Sequence, residues 1–300
     1  MTTNAAPFPR SVVMHIGAHK TATTHLQRSL LAQQQALSEA GIRYYGPDKL
    51  RRPNKGLGDI FGLDVYVNSR KPTRSGADQA DFMFKDGHRL ILSDENFIGA
   101  LHDSQANIIS PLYPKTAERI AALSSAVDAG PMDVCIGLRD PVSFLKSAYS
   151  QALMGGNPVT FSDYLSKNPL DQIYWPGLVA RVRSTAGVGR VTVWAFENYK
   201  WRFHKICGAL MGDLVNMRIL PIPNHVHRGL SEAAVARVLS QSGADDPRGV
   251  AVEARSTYPV SDEYPAFDPF PASDKAASKA EYAAQLAAID KIDGVTILGP

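Results

Sequence analysis

Cysteine is nearly missing from this chain, with two residues among 300, Cys135 and Cys207. They fall in a predicted strand and a predicted helix with no C-x-x-C spacing, which excludes a thiolate metal site and reads as buried free thiols in a reducing cytoplasm. Long apolar runs are missing too. Nowhere do about 18 uninterrupted apolar residues occur, and the first ten carry no apolar signal region, so a transmembrane segment and an export signal are not expected. Charge of one sign is also scarce, the formal net charge being +3. With no strongly basic run interleaved with aromatics, nucleic acid is not an expected partner. No internal repeat is present, and no His/Cys/Asp cluster has metal-ligand spacing, so no metal is expected. A hydrophobic fraction of 44% still provides for a sizeable core.

The strongest feature that is present lies near the start. The apolar run 12–16 reads as a short buried strand that breaks at Gly17, and Leu26, Leu30, Leu31 and Leu37 then recur at helical spacing. A strand turning tightly into a helix aims unpaired backbone N–H groups and the positive end of the helix dipole at one point, which makes that point an anion site. Lys20 adds a compact positive charge there, and Thr21, Thr23 and Thr24 add hydroxyls. The nucleoside-triphosphate signature G-x-x-x-x-G-K-[ST] is not what stands here, because the lysine follows His19 rather than a second glycine.

Further strands are expected at 42–45, 89–93, 133–138 and 191–196, alternating with helices near 113–127, 141–153, 161–167, 175–185, 233–239 and 274–292. Five strands interleaved with helices predict an α/β fold with a mostly parallel central sheet flanked by helices. The segment 48–81 has no clean period and carries Arg51, Arg52, Lys55, Arg70, Lys71 and Arg74. It reads either as a lid admitting an acidic or sugar-like acceptor or as a solvated basic loop. Asp94 and Glu95 follow the third strand, at the carboxyl edge where such sheets bind ligands. They could hold Mg²⁺, take a proton, or merely cap the next helix. No histidine is expected at a comparable strand end. Asp140 is a good N-cap and Pro141 a good first helical residue, so Arg139 and Ser147 can reach one anion from a strand end and a helix flank. The segment 243–273 reads as a meandering arm or lid rather than a second core, and the last helix presents Tyr282, Leu286 and Ile289 for core or dimer packing.

Two of these stretches resemble a known family. Gly17-Ala18-His19-Lys20-Thr21-Ala22-Thr23-Thr24 resembles the 5'-phosphosulfate loop of the sulfotransferases, P/H-K-T/S-G-T-T, with Ala22 in the place of a glycine. An alanine there is expected to take an ordinary negative φ or a slightly altered turn. Arg139-Asp140-Pro141 followed by Ser147-Ala148-Tyr149 resembles the family's 3'-phosphate motif, R-x-P then S-x-Y. Phe196-Glu197-Asn198-Tyr199 is a loose match to Y-E-D-L, and Arg228 lies where many members carry a turn that approaches the nucleotide.

The resemblance covers roughly residues 12–197. It implies a P-loop nucleotide-hydrolase-like architecture in a single domain over 1–300, with a core of about 11–242 and a C-terminal arm and helix over 243–300. The implied donor is 3'-phosphoadenosine-5'-phosphosulfate, PAPS, with 3'-phosphoadenosine-5'-phosphate, PAP, as product and no metal. Loop residues 17–24 would hold the 5' end, Arg139 and Ser147 the 3'-phosphate, and Arg228 would be a further cofactor contact. The acceptor would be a hydroxyl or amine of a small molecule, lipid or carbohydrate. Lys20 would stabilise the leaving phosphate and Glu95 would act as base, with His102 or another of the eight histidines as the fallback. The rivals are a phosphate-loop kinase, with Asp94 holding Mg²⁺ for ATP, and a nucleotide-binding module without turnover.

Overall fold

Short runs of Val, Ile, Leu and Met in the sequence become strands buried on both faces, as a parallel sheet requires. The computed structural model describes residues 9–52, 60–62, 74, 76–212, 217–223 and 229–299. Its strands are β1 (Ser11–His15), β2 (Ile42–Tyr45), β3 (Arg89–Ser93), β4 (Met132–Leu138), β5 (Val188–Ala195) and β6 (Val295–Ile297). They form one sheet in the order β2-β3-β1-β4-β5-β6, with every pairing parallel. The helices are α1 (Thr23–Ala32), α2 (Gln34–Glu39), α3 (Pro47–Leu50), α4 (Gly76–Phe84), α5 (Thr116–Val127), α6 (Pro141–Met154), α7 (Phe161–Lys167), α8 (Trp175–Arg183), α9 (Tyr199–Met211), α10 (Glu232–Ser240), α11 (Pro247–Thr257) and α12 (Ala272–Ile289). The α/β architecture with a parallel central sheet flanked by helices is therefore the one expected.

Alternation along the strands divides the core in two. Val12, Met14, Leu90, Leu92, Val134 and Ile136 join a large cluster with α5, α6, α8 and α12. Val13, Ile91, Cys135 and Trp194 face the other way, onto a smaller cluster with α1 and α9. Both cysteines are buried and free. From β1 the chain crosses to the edge strand β2 and returns inward to β3, then crosses to the other side of β1 through β4. The carboxyl end of β1 thus lies at the point where strand order reverses, the place where such sheets bind ligands.

Several boundaries differ from expectation for local reasons. α5 starts at Thr116 rather than 113 because Tyr113 takes a φ of 52°. β5 begins at Val188, ahead of the expected 191. β6 was not expected, since three residues after Gly294 are too few to show a period, yet Val191–Val193 pair with all of them. The stretch 243–273 is not a plain arm. It contains α11, capped by Asp246, whose carboxylate accepts from Gly249 N at 2.9 Å. The apolar period was hidden because α11 buries only alanines, Ala251 and Ala254. The final helix packs on α8 and α6, with Tyr282 and Ile289 in the core. Among the described residues no helix is long and apolar enough to cross a membrane.

Candidate functional site

The loop between β1 and α1 is built by close backbone packing. Ile16 N and Ala18 N donate to the carbonyls of Cys135 and Gly137, at 3.1 and 3.2 Å, so the loop leaves β1 still pinned to β4. At Gly17 a Cβ would lie 2.5 Å from the Thr23 methyl, so only glycine fits. Lys20 and Ala22 both take left-handed φ values, 68° and 64°. The expectation of a negative φ at Ala22 is therefore corrected: the loop keeps the turn that a glycine would favour and imposes it on an alanine. Ala22→Gly should accordingly raise stability by about 0.5–1 kcal/mol, relief of strain being partly offset by glycine's larger unfolded-state entropy. Denaturant midpoints would measure it, and a loss of stability would contradict the left-handed turn.

Past His19 the N–H groups of the turn lack acceptors in the described residues. Ala18 N is engaged by Gly137 and His19 N by the Tyr113 hydroxyl at 3.2 Å, whereas the N–H groups of Lys20, Thr21, Ala22, Thr23 and Thr24 have no acceptor among the described residues. That is the unsatisfied start of a helix, with the dipole behind it. The Thr21 hydroxyl is turned away, donating to the Ala18 carbonyl at 2.6 Å, so Thr21 can offer only its N–H. Lys20, Ala22, Thr23 and Thr24 line a cavity of about 490 Å³, together with Glu95, Arg139 and Ser147. Burial, and next the charge of Arg139, lower the Lys20 pKa, as for an ammonium held in a site already short of negative charge.

Arg139 is held from three sides. Its Nε donates to Ser143 Oγ and its Nη1 to the Lys20 carbonyl, both at 2.8 Å, and its guanidinium lies 4.3 Å from the centre of the Phe196 ring. The Trp175 indole N–H fixes the Arg139 carbonyl at 2.8 Å. Asp140 caps α6 by accepting from Ser143 N at 2.9 Å, and its other oxygen accepts from the Ser278 hydroxyl of α12 at 2.7 Å. The C-terminal helix thus braces this end of the site. Ser143, one turn from Arg139, and Phe196 were not assigned a role by sequence reasoning. The spacing from 139 to 143 could have suggested the first.

At the end of β3 the two carboxylates differ. Asp94 is fully buried, takes both Nε and Nη2 of Arg51 at 2.9 and 2.8 Å, and caps the short 3₁₀ turn Glu95–Ile98 through Asn96 N at 2.8 Å. Its lone pairs are taken up structurally. Glu95 lines the cavity, accepts from Gln27 Nε2 at 3.1 Å and pairs with Arg51 at 2.8 Å. Burial is the largest influence on its carboxyl and pushes the pKa up, but the charge and hydrogen bond of Arg51 outweigh it and hold Glu95 down at about 2. Arg51, read in the sequence as part of a basic lid, is thus a partner of both carboxylates. Lys55, Arg70 and Lys71 lie outside the described residues, as does Arg228.

A histidine does stand at a comparable strand end, contrary to expectation. His15 closes β1, but it is buried, bonds Ser93 Oγ at 2.8 Å and stacks on Trp194, away from the cavity. His19 is better placed. Its Nδ1 is 3.0 Å from the Tyr113 hydroxyl, and its ring lines both the first cavity and a second one of about 640 Å³, which His102 also lines. Burial lowers the pKa of His15, His19 and His102 each to about 4, so all three are neutral at pH 7.

No protein-family model and no curated protein matches this sequence. Among solved structures, the crystal structure of a sulfotransferase from Alicyclobacillus acidocaldarius is similar, with a TM-score of 0.44 and 18% identity over 73% of this chain and 87% of that one.

Proposed function

We propose that this chain transfers a sulfuryl group from PAPS to a hydroxyl or amine of an acceptor, in the cytoplasm. The observation that carries the proposal is that two anion grips, one from the β1–α1 loop and one from Arg139 with Ser147, line a single cavity. A donor phosphorylated at both its 5' and 3' positions needs two such grips, whereas a nucleoside triphosphate, with all its phosphates in a row, needs one. The free N–H groups of Lys20 to Thr24 suit the 5'-phosphosulfate, and the Arg139 guanidinium suits a phosphate that can take two parallel N–H bonds.

The chemistry follows from charge. The acceptor oxygen attacks sulfur, a new S–O bond forms, and the bond from sulfur to the bridging phosphate oxygen breaks. Negative charge then collects on the departing PAP, where Lys20 and the loop N–H groups can stabilise it. The acceptor proton passes to Glu95, which Arg51 keeps ionised. A second reading rests on His19 lying in the walls of both cavities, and gives the proton to its neutral imidazole.

The kinase alternative asks Asp94 to hold Mg²⁺, but its carboxylate is buried and already satisfied by Arg51 and Asn96 N. PAP should therefore raise the melting temperature by mass action, and ATP with Mg²⁺ should do so much less. A thermal-shift titration decides this, and a larger shift with ATP and Mg²⁺ overturns the reading.

A further inference from the structure

The second cavity has a charge and a position that the donor does not explain. It opens beside the first across a shared wall of His19 and Gln151, so a molecule seated in it can extend one group to the Lys20 loop and Glu95. Lys115, Arg119 and Arg248 stand in its walls against one carboxylate, Asp103. Asp103 is engaged locally, accepting from Gln105 N, Asn107 N and Asn107 Nδ2 at 2.8 to 3.1 Å. Arg119 donates to the carbonyls of Phe97 and Asn96 and so brings its charge to the wall in a fixed position.

Arg248 is the informative residue. It is the second residue of α11, where the helix dipole opposes a cation, and it has no hydrogen-bond or ion-pair partner among the described residues. Its side chain is exposed in the wall of this cavity, so the guanidinium is held by no described protein group and can turn to an anionic ligand seated there. α11 is packed on α6, the helix that carries Gln151 of the shared wall and Ser147 of the first cavity. α6 thus contributes to the walls of both cavities, and α11 to the second.

We infer that this second cavity is the acceptor site and that it takes a hydroxylated molecule already bearing a carboxylate or phosphate, with Arg248 binding the anion while the hydroxyl reaches past His19 to the donor. The inference rests on the sulfuryl-transfer reading for its chemistry but on the cavity alone for its ligand class. The proposed sulfuryl transfer requires only a hydroxyl or amine; the anionic group is what this cavity adds.

Matched probes test it on the full chain, without and with added PAP. Isothermal titration would compare p-nitrophenyl glucuronide with p-nitrophenyl glucoside, and glucose 6-phosphate with glucose. Each acid should bind at least about tenfold more tightly than its neutral partner, the usual size of a charge-assisted bond. Arg248→Ala should reduce that ratio to about threefold or less, and Arg248→Lys should keep most of it, while the PAP melting shift stays as in the wild type. Equal binding within both pairs, no binding by either acid, or a ratio untouched by Arg248→Ala overturns the assignment. If PAP gives no melting shift but the acids are still preferred through Arg248, the donor reading fails and the cavity's ligand class stands. If PAP stabilises and the acids are not preferred, the reverse holds.

Discussion

Lys20→Ala should lower the rate of labelled product formation from radiolabelled PAPS by about 10² to 10³, the range for removing one preorganised donor from a developing negative charge. PAP affinity, measured by calorimetry, should fall by no more than about threefold. The asymmetry comes from the site itself. In the ground state the 5' end can be held by the five free N–H groups of Lys20 to Thr24, and the 3' end by Arg139 and Ser147, so the ammonium is one donor among many. At the transition state charge builds on the bridging oxygen, and Lys20 carries the formal positive charge of the loop. Its lowered pKa reflects how much burial and Arg139 already disfavour that charge, so an incoming anion relieves a standing penalty. Equal losses in affinity and rate would assign Lys20 to binding alone.

Glu95→Gln should cut turnover by about 10² to 10⁴ and leave PAP affinity near the wild-type value. The amide keeps the shape and the contact with Gln27 but cannot take a proton. The pH dependence separates Glu95 from His19. With its pKa near 2, Glu95 stays a proton acceptor down to the acid limit of the fold, so the rate should show no acid limb from this group between about pH 4 and 8. A base with a pKa near 4, as His19 has, would lose activity as pH falls through about 4. If Glu95→Gln keeps its rate while His19→Asn abolishes it, the proton goes to the imidazole.

The same substitution has a stability signature with a definite sign. The folded pKa of Glu95 is depressed below its ordinary 4.5, so its ionisation favours the folded state above that value, and the contribution is lost as pH falls from about 4.5 through about 2. Glu95→Gln should therefore be less stable than wild type at neutral pH, with the gap narrowing over that acid range.

What the sequence determined by itself depends on neighbours within about a turn. The apolar run 12–16, the break at Gly17 and the leucines of α1 give the strand, loop and helix, because periodicity and helix starts are local. Asp140 and Pro141 give the start of α6, because a cap bonds three residues ahead. The parallel order of the main strands follows from alternation with helices. What only the tertiary structure decided are partnerships across the chain. Arg51 meets Asp94 from 43 residues away because β2 lies beside β3, and no spacing rule encodes that. Ala22 is left-handed because the loop is pinned at both ends, through β4 and α1, and the backbone geometry outweighs the residue's own preference. The stacking of α11 on α6 is decided there too: α11 buries only alanines, and methyl groups that small leave no hydrophobic period to read.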